Sequence, residues 1–305
     1  MNESIVIPAG DTGERQRRHQ FSRYRRIMEH DFPLDFLIAG ELAQFQTYAI
    51  PSISRLLHRT GQYEMDGVKR LDDTRATLTS IFSHPEGSRE RAQMIEHLNW
   101  VHSHYSITNE DYLYTLLRLF LNPLDWNARW GWRSLTPDEI ELIRAEMVSV
   151  GKAMGIEFDP CRELEQQSLA SLNQWQQDYR RRHERYHPAN QAVALGAIEG
   201  IKAQFPRWVR PVIPAVVVAL LEDKALLAHL GLSPPTRLQT AVVRCGLGLW
   251  WLTGKIYRPW KRKPFSDGWL ANHYPSYPGN RLDYCQLGPR KLINHRNATT
   301  GCPFH

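Results

Sequence analysis

Helix punctuation recurs along nearly the whole chain, and the apolar/polar alternation of a half-buried strand bounded by turn residues does not occur. The clearest helix start is Thr136-Pro137-Asp138-Glu139. It has a hydroxyl at the cap, proline at the first position where no N–H is needed, and a carboxylate at the third to reach back. Ser88 reads as the N-cap of a helix running to Tyr105. Thr108-Asn109-Glu110-Asp111 reads as a capping box that opens an apolar helix, ended by Asn122-Pro123. A helix over 34–59 is expected to kink or break at Pro51, and one over 68–82 closes in the loop Ser83-His84-Pro85-Glu86-Gly87. Further helices are expected over 162–185, 190–204, 212–230 and 236–256. The fold class is all-α.

The 305 residues are enough for one large helical domain with a sizeable core, and neither a repeat nor a composition shift marks a linker. We divide the chain into a polar segment (1–30), one helical domain (31–256) and an irregular tail (257–305). The tail is rich in proline, glycine and aromatics, which predicts an ordered wrap packed on the domain. No apolar run reaches the ~18 residues of a membrane span. Pro211 to Leu221 is cut off by Glu222-Asp223-Lys224, and Ala241 to Thr253 is interrupted by Arg244, so both read as core helices. The alternative for the second is peripheral membrane contact, with Trp250-Trp251 and Lys261-Arg262-Lys263 at the headgroups. The N-terminus has no signal-peptide pattern, which predicts a protein that is cytoplasmic or peripheral on the endoplasmic reticulum membrane. Cys161, Cys245, Cys285 and Cys302 are widely spaced, without a C-x-x-C pair, and predict a reducing compartment and no disulfide framework.

At 100° per residue, Met94, Ile95, Leu98, Val101 and Tyr105 share one arc of the Ser88–Tyr105 helix. His102 lies within that arc, with His97 and His104 at or beyond its edges. A histidine on a buried stripe needs a hydrogen bond or a metal. Taken alone it is more readily a core histidine bonded to a carbonyl than a ligand. A zinc site from His97, His102 and His104 is poorer, because His102 and His104 point to opposite sides of the helix. On the preceding helix Arg70 and Thr74 stand four apart, and Leu78 and Ile81 continue their face. That places a cation and a hydroxyl toward the core, either pairing a buried carboxylate or serving a ligand.

The usual nucleotide, hydrolase and metalloprotease motifs do not occur. The net charge of +6 selects no partner by itself. Arg180-Arg181-Arg182-His183-Glu184-Arg185 suits a solvated helix end, and no nucleic-acid-binding module is recognisable. The closing Gly301-Cys302-Pro303-Phe304-His305 reads either as a packed aromatic anchor or as a source of an iron ligand from Cys302 or His305.

An ordered set of segments resembles one known family. These are Glu41 to Leu57 (ELAQFQTYAIPSISRLL), Thr60 to Tyr63 (TGQY), Lys69 to Thr74 (KRLDDT) and Val101 to Tyr105 (VHSHY). Asp111 to Leu116 (DYLYTL), Trp132 to Thr136 (WRSLT), Trp175 to Tyr179 (WQQDY) and the terminal GCPFH follow in order. Together they resemble the family that joins the fungal MpaB-type oxygenases of the endoplasmic reticulum to the bacterial latex-clearing rubber oxygenases. The resemblance implies a single globin-like multi-helix domain, haem b as cofactor, and oxidative cleavage of an isoprenoid double bond. It assigns the proximal iron ligand to His102 and the family's arginine and threonine to Arg70 and Thr74. In the MpaB type the implied substrate is a farnesylated aromatic acid. The chain departs from the MpaB type in lacking an apolar anchor before residue 30. It departs from the rubber enzymes in carrying Asp73 where they carry a basic residue.

The expected function is a haem-dependent oxygenase that uses dioxygen to cleave a C=C bond of a prenylated or unsaturated hydrophobic molecule. Two alternatives stand beside it: a haem protein catalysing hydroxylation or peroxidase-like coupling, and a non-enzymatic lipid-binding homologue that has lost haem.

Overall fold

The computed structural model describes residues 9–158, 167–256 and 264–304, with only the backbone for residues 9–15, Trp269 and Leu270. The described residues are all-α, with no strand among them. The helices are α1 Ala9–Arg26, α2 Pro33–Tyr48, α3 Pro51–Thr60, α4 Gln62–Ser83, α5 Arg89–Ser103, α6 Asn109–Trp130 and α7 Pro137–Ala153. They continue with α8 Leu169–His183, α9 Pro188–Ala203, α10 Ile213–Leu221, α11 Lys224–His229, α12 Arg237–Ile256, α13 Trp269–Asn272 and α14 Arg290–Thr299. A π-helical turn, Ile27–Asp31, joins α1 to α2. In this way α1 leads into the core, where Tyr24 and Ile27 are buried.

Local punctuation places most boundaries. The apolar 34–59 run breaks at Pro51, which becomes an N-terminal residue of α3. Ser88 accepts from the Arg91 N–H at the start of α5. Thr136 and Glu139 form the reciprocal capping box of α7. At α6 only half of the expected box forms: Thr108 accepts from the Asp111 N–H. The Asp111 carboxylate is turned elsewhere, accepting from Ser52 at 2.8 Å and Tyr179 at 2.6 Å.

Two boundaries differ from expectation because tertiary contacts override the local signal. α6 runs through Pro123 to Trp130. Beyond the proline, Trp126 donates to Asp35 at 3.0 Å, and Asn127 closes the turn to α7 through the Leu135 N–H and the Arg133 carbonyl. Just before it, Asn122 donates to the Ala39 carbonyl of α2 at 2.7 Å. The ~3 kcal/mol cost of an interior proline is offset by that buried packing. The single helix expected over 212–230 is two, because Glu222 adopts φ 54° and Asp223 caps α11 through the Ala225 and Leu226 N–H groups.

The wide cysteine spacing predicted no disulfide; the fold nevertheless pairs Cys285 with Cys302, Cα atoms 5.3 Å apart. α14 returns the chain on itself between them, a local topology that spacing alone does not reveal. This also removes Cys302 as a thiolate ligand. Cys161, Lys261–Lys263 and His305 lie outside the described residues.

The close approach of α4 and α9 is set by glycine. A Cβ on Gly196 would lie 2.5 Å from the Tyr63 carbonyl oxygen, and one on Gly200 2.7 Å from that of Gly67. Backbone atoms cannot swing aside as a flexible side chain can. Gly196→Ala is therefore expected to cost about 1–3 kcal/mol of stability, read by denaturant titration, whereas Gly246→Ala on the open face of α12, with nothing within 4 Å of its Cβ position, should be neutral or slightly stabilising.

Candidate functional site

The resemblance motif runs around more than one turn of α4, and its residues face two environments. Lys69, Asp72 and Asp73 are buried and bind the C-terminal segment. Lys69 donates to Asp73 at 2.6 Å and to the Gln286 and Gly288 carbonyls at 2.8 and 3.0 Å. Asp73 also accepts from the Tyr277 hydroxyl at 2.5 Å and the Gly288 N–H at 3.0 Å. Asp72 accepts from both the N–H and the hydroxyl of Ser276, and from Arg75 at 3.1 Å. Burial pushes the Asp73 carboxyl up despite Lys69 beside it. Its two oxygens nonetheless hold the tail in place.

Arg70 and Thr74 line a cavity of about 300 Å³, and Asp73 borders it where the tail meets α4. The Arg70 guanidinium donates to the Thr74 hydroxyl, which in turn donates to the Arg70 carbonyl at 2.8 Å. The same guanidinium lies over the Tyr63 ring at 5.3 Å. Tyr63 and Tyr48 share a buried hydrogen bond of 2.7 Å on the same wall. The opposite walls are apolar, with Leu98, Val101, Leu116, Leu119 and Ile156.

His102 of α5 faces this cavity. Its Nδ1 atom is shut off from solvent and has no hydrogen-bond partner among the described residues. Burial, with Arg70 adding to it, holds its pKa down to about 4, so the imidazole is neutral near pH 7. The structure thus brings together His102, Arg70 and Thr74. Sequence reading missed Tyr48 and Tyr63, whose only signal was the match of their segments to the family. It also missed Glu41, whose carboxyl is pushed up to about 7 by burial while Arg75 and Arg70 pull it down.

His97, expected at the edge of the apolar arc, is buried more deeply than His102. Its Nε2–H donates to the Leu287 carbonyl at 2.9 Å, leaving Nδ1 to accept from Arg296 at 3.1 Å. It is the satisfied core histidine, tying α5 to the tail. Phe304 packs on its ring at 5.2 Å, so the closing motif supplies an aromatic anchor. His104 is exposed and bonds the Trp100 carbonyl. Among the described residues no three or more histidine, cysteine, aspartate or glutamate side chains converge on a metal-sized site.

Residues 36–253 match the catalytic-domain model described as ER-bound oxygenase mpaB/B'/rubber oxygenase. The chain belongs to this family. It is similar to the ER-bound oxygenase mpaB' of Penicillium brevicompactum, 26% identical over 77% of this chain and 58% of that protein. It is also similar to the ER-bound oxygenase mpaB of the same organism, 28% identical over 79% of this chain and 65% of that protein. A third relative, the mpaB oxygenase of Penicillium roqueforti, is 32% identical over 46% of this chain and 49% of that protein. The chain thus spans about three fifths of the length of the first two. No helix among the described residues is long and apolar enough to cross a membrane.

The neutral, doubly bonded state of His97 has a consequence for acid stability. A second proton on Nδ1 would face Arg296, and burial with that cation nearby holds the His97 pKa down to about 4. A base with a depressed folded pKa contributes its stability above the unfolded value of about 6.5; that contribution is lost as pH falls from there toward about 4. The thermal midpoint should therefore drop between pH 7 and pH 5. His97→Gln, which keeps a donor for the Leu287 carbonyl, should be less stable at pH 7 and should flatten part of that acid slope.

Proposed function

We propose that the chain is a haem-dependent oxygenase that cleaves a carbon–carbon double bond in a prenylated or otherwise unsaturated hydrophobic molecule. The observation that carries this reading is His102 on the wall of a largely apolar cavity, its imidazole neutral and its Nδ1 buried without a partner among the described residues. An orphaned polar atom in that position costs free energy unless a ligand takes it up. A neutral imidazole is the form that coordinates iron.

The residues present fit haem b. His102 would hold the iron, the apolar walls would receive the macrocycle, and the Arg70 cation would answer a carboxylate at the cavity's polar side. When bound, the haem supplies the dioxygen chemistry. The chain's own residues position and exclude. Arg70, braced by Thr74 and by the Tyr63 ring, fixes the acidic end of the cofactor or substrate. Burial of a prenyl chain against leucine and isoleucine walls contributes about 0.8 kcal/mol per CH₂ and keeps water from the reacting bond. Cleavage places one atom of O₂ on each former alkene carbon, giving two carbonyls without an external reductant. Asp73, held by Lys69, Tyr277 and Gly288, ties α4 to the tail at the cavity's edge. The endoplasmic reticulum named for the relatives is the membrane at which we place this chain.

A visible spectrum of the purified protein beside His102→Ala is the deciding test. The wild type is expected to show a Soret band that is lost or shifted in the variant, and a wild type that stays colourless after haem reconstitution would sink the proposal. Arg70→Ala is expected to keep haem absorbance while lowering turnover of a farnesylated aromatic acid roughly 10- to 100-fold. With ¹⁸O₂, each of two carbonyl fragments should carry one labelled oxygen; label on an intact skeleton would mean hydroxylation instead of cleavage.

A further inference from the structure

No residue of α12 is buried, although the helix is twenty residues long. Thr240, Val243, Leu247, Trp250 and Gly254 are the half-covered positions, and there the helix packs on the body. Leu247 joins the core cluster around α9 and α10, and Gly254 rides against Trp132. At 100° per residue, the positions on the far side of the helix are Leu238, Val242, Cys245, Leu249, Leu252 and Ile256. Their spacing is 4-3-4-3-4, and all are exposed, Leu238 at 73%, Leu249 at 63% and Ile256 at 74%. This makes an unbroken apolar stripe of about 27 Å facing away from the protein. A stripe of that length is not an ordinary solvated face.

Charge indicates what covers it. Arg237, Arg244 and Lys255 fall along one flank of the same helix, and α12 contains neither aspartate nor glutamate. Lys255 lies over the Trp251 ring at 3.8 Å. Glu222 serves Arg244 and Arg129 through its two oxygens, at 3.4 and 3.1 Å, so one exposed carboxylate answers two cations and the positive charge along this flank is not balanced. Were a second copy to pair along this stripe, the cations beside the seam would find no carboxylate on the facing helix. A layer of anionic headgroups supplies the missing charge, and long cationic side chains reach it while their stems stay in the apolar layer.

We infer that α12 is a docking helix that lies in the surface of an anionic bilayer. Its Leu238–Ile256 stripe sits among the upper acyl chains, and Arg237, Arg244 and Lys255 sit at the phosphates. This deepens the membrane placement proposed above and is independent of the haem chemistry. It requires no membrane-spanning helix.

The experiment is cosedimentation of the full chain with phosphatidylcholine vesicles, with and without phosphatidylserine, at low and high salt. Binding is expected to favour the phosphatidylserine vesicles and to weaken with salt. The double variant Val242→Glu/Leu249→Glu, at exposed positions that leave the core intact, should weaken binding about tenfold or more while circular dichroism and the visible spectrum stay unchanged. Arg237→Gln/Lys255→Gln should remove the preference for phosphatidylserine. Wild-type binding by the apolar-stripe variant would overturn the inference. So would a concentration-dependent dimer that this variant dissolves, in a protein that ignores vesicles. Because the Soret band is read on the same samples, loss of docking and loss of the haem reading remain separate results.

Discussion

Lys69, Asp72 and Asp73 are three buried charged side chains, and their partners come largely from the far end of the chain. The Gln286 and Gly288 carbonyls, the Gly288 N–H, Ser276 and the Tyr277 hydroxyl complete them. Breaking one partner away from such a network leaves a buried charge uncompensated, which typically costs several kcal/mol. The tail is therefore a structural component of the helical body. It also immobilises α4 about its axis. On the side toward α9, Gly196 and Gly200 admit the α4 backbone so closely that no side chain fits between. With those two sides taken, the rotation of α4 that remains is the one that turns Arg70 and Thr74 into the cavity.

The same tail positions α5. His97 and His102 are five residues apart on one helix and border the same cavity, yet they differ in what bonds them. His97 finds an acceptor in Leu287 and a donor in Arg296, so its imidazole is spent on architecture. His102 has no partner for its Nδ1 among the described residues and faces a largely apolar volume. Burial keeps both neutral. Helical periodicity separates such residues only by angle, and angle carries no information on what stands opposite. The partners of His97 lie 190 and 199 residues later in the chain. That is why the pattern of apolar positions marked His102 as facing inward but could not show that His97 is the more deeply buried.

What was legible in the sequence was whatever the backbone decides locally. The cap at Ser88, the box at Thr136 and the break at Pro51 are contests between neighbouring residues, and each came out as neighbours dictate. The i, i+4 spacing of Arg70 and Thr74 likewise sufficed to put them on one face. Where a distant contact competes, the local reading fails. The proline in α6 is carried by Asn122 and Trp126, and Asp111 is drawn from its capping box by Ser52 and Tyr179. Cys285 and Cys302 meet because α14 folds the chain back between them. Tyr48 and Tyr63, which dress the polar wall, come from two helices whose packing no spacing rule predicts.

The electrostatics of that wall bear on what the cavity receives. Arg70 is screened by a hydroxyl and by aromatic rings, and no carboxylate pairs with it among the described residues. Glu41 is the nearby candidate, but its carboxyl is pushed up to about 7, so near neutral pH it is ionised only in part. Asp73 is committed to Lys69 and the tail. A guanidinium in an apolar enclosure with its counter-charges weakened or engaged favours an incoming anion. A carboxylate at one end of an otherwise apolar molecule satisfies both halves of this cavity at once. A neutral hydrocarbon would fill the walls but leave the Arg70 charge unanswered. The cavity is thus better matched to a ligand that carries an anionic group on an apolar body than to a neutral hydrocarbon.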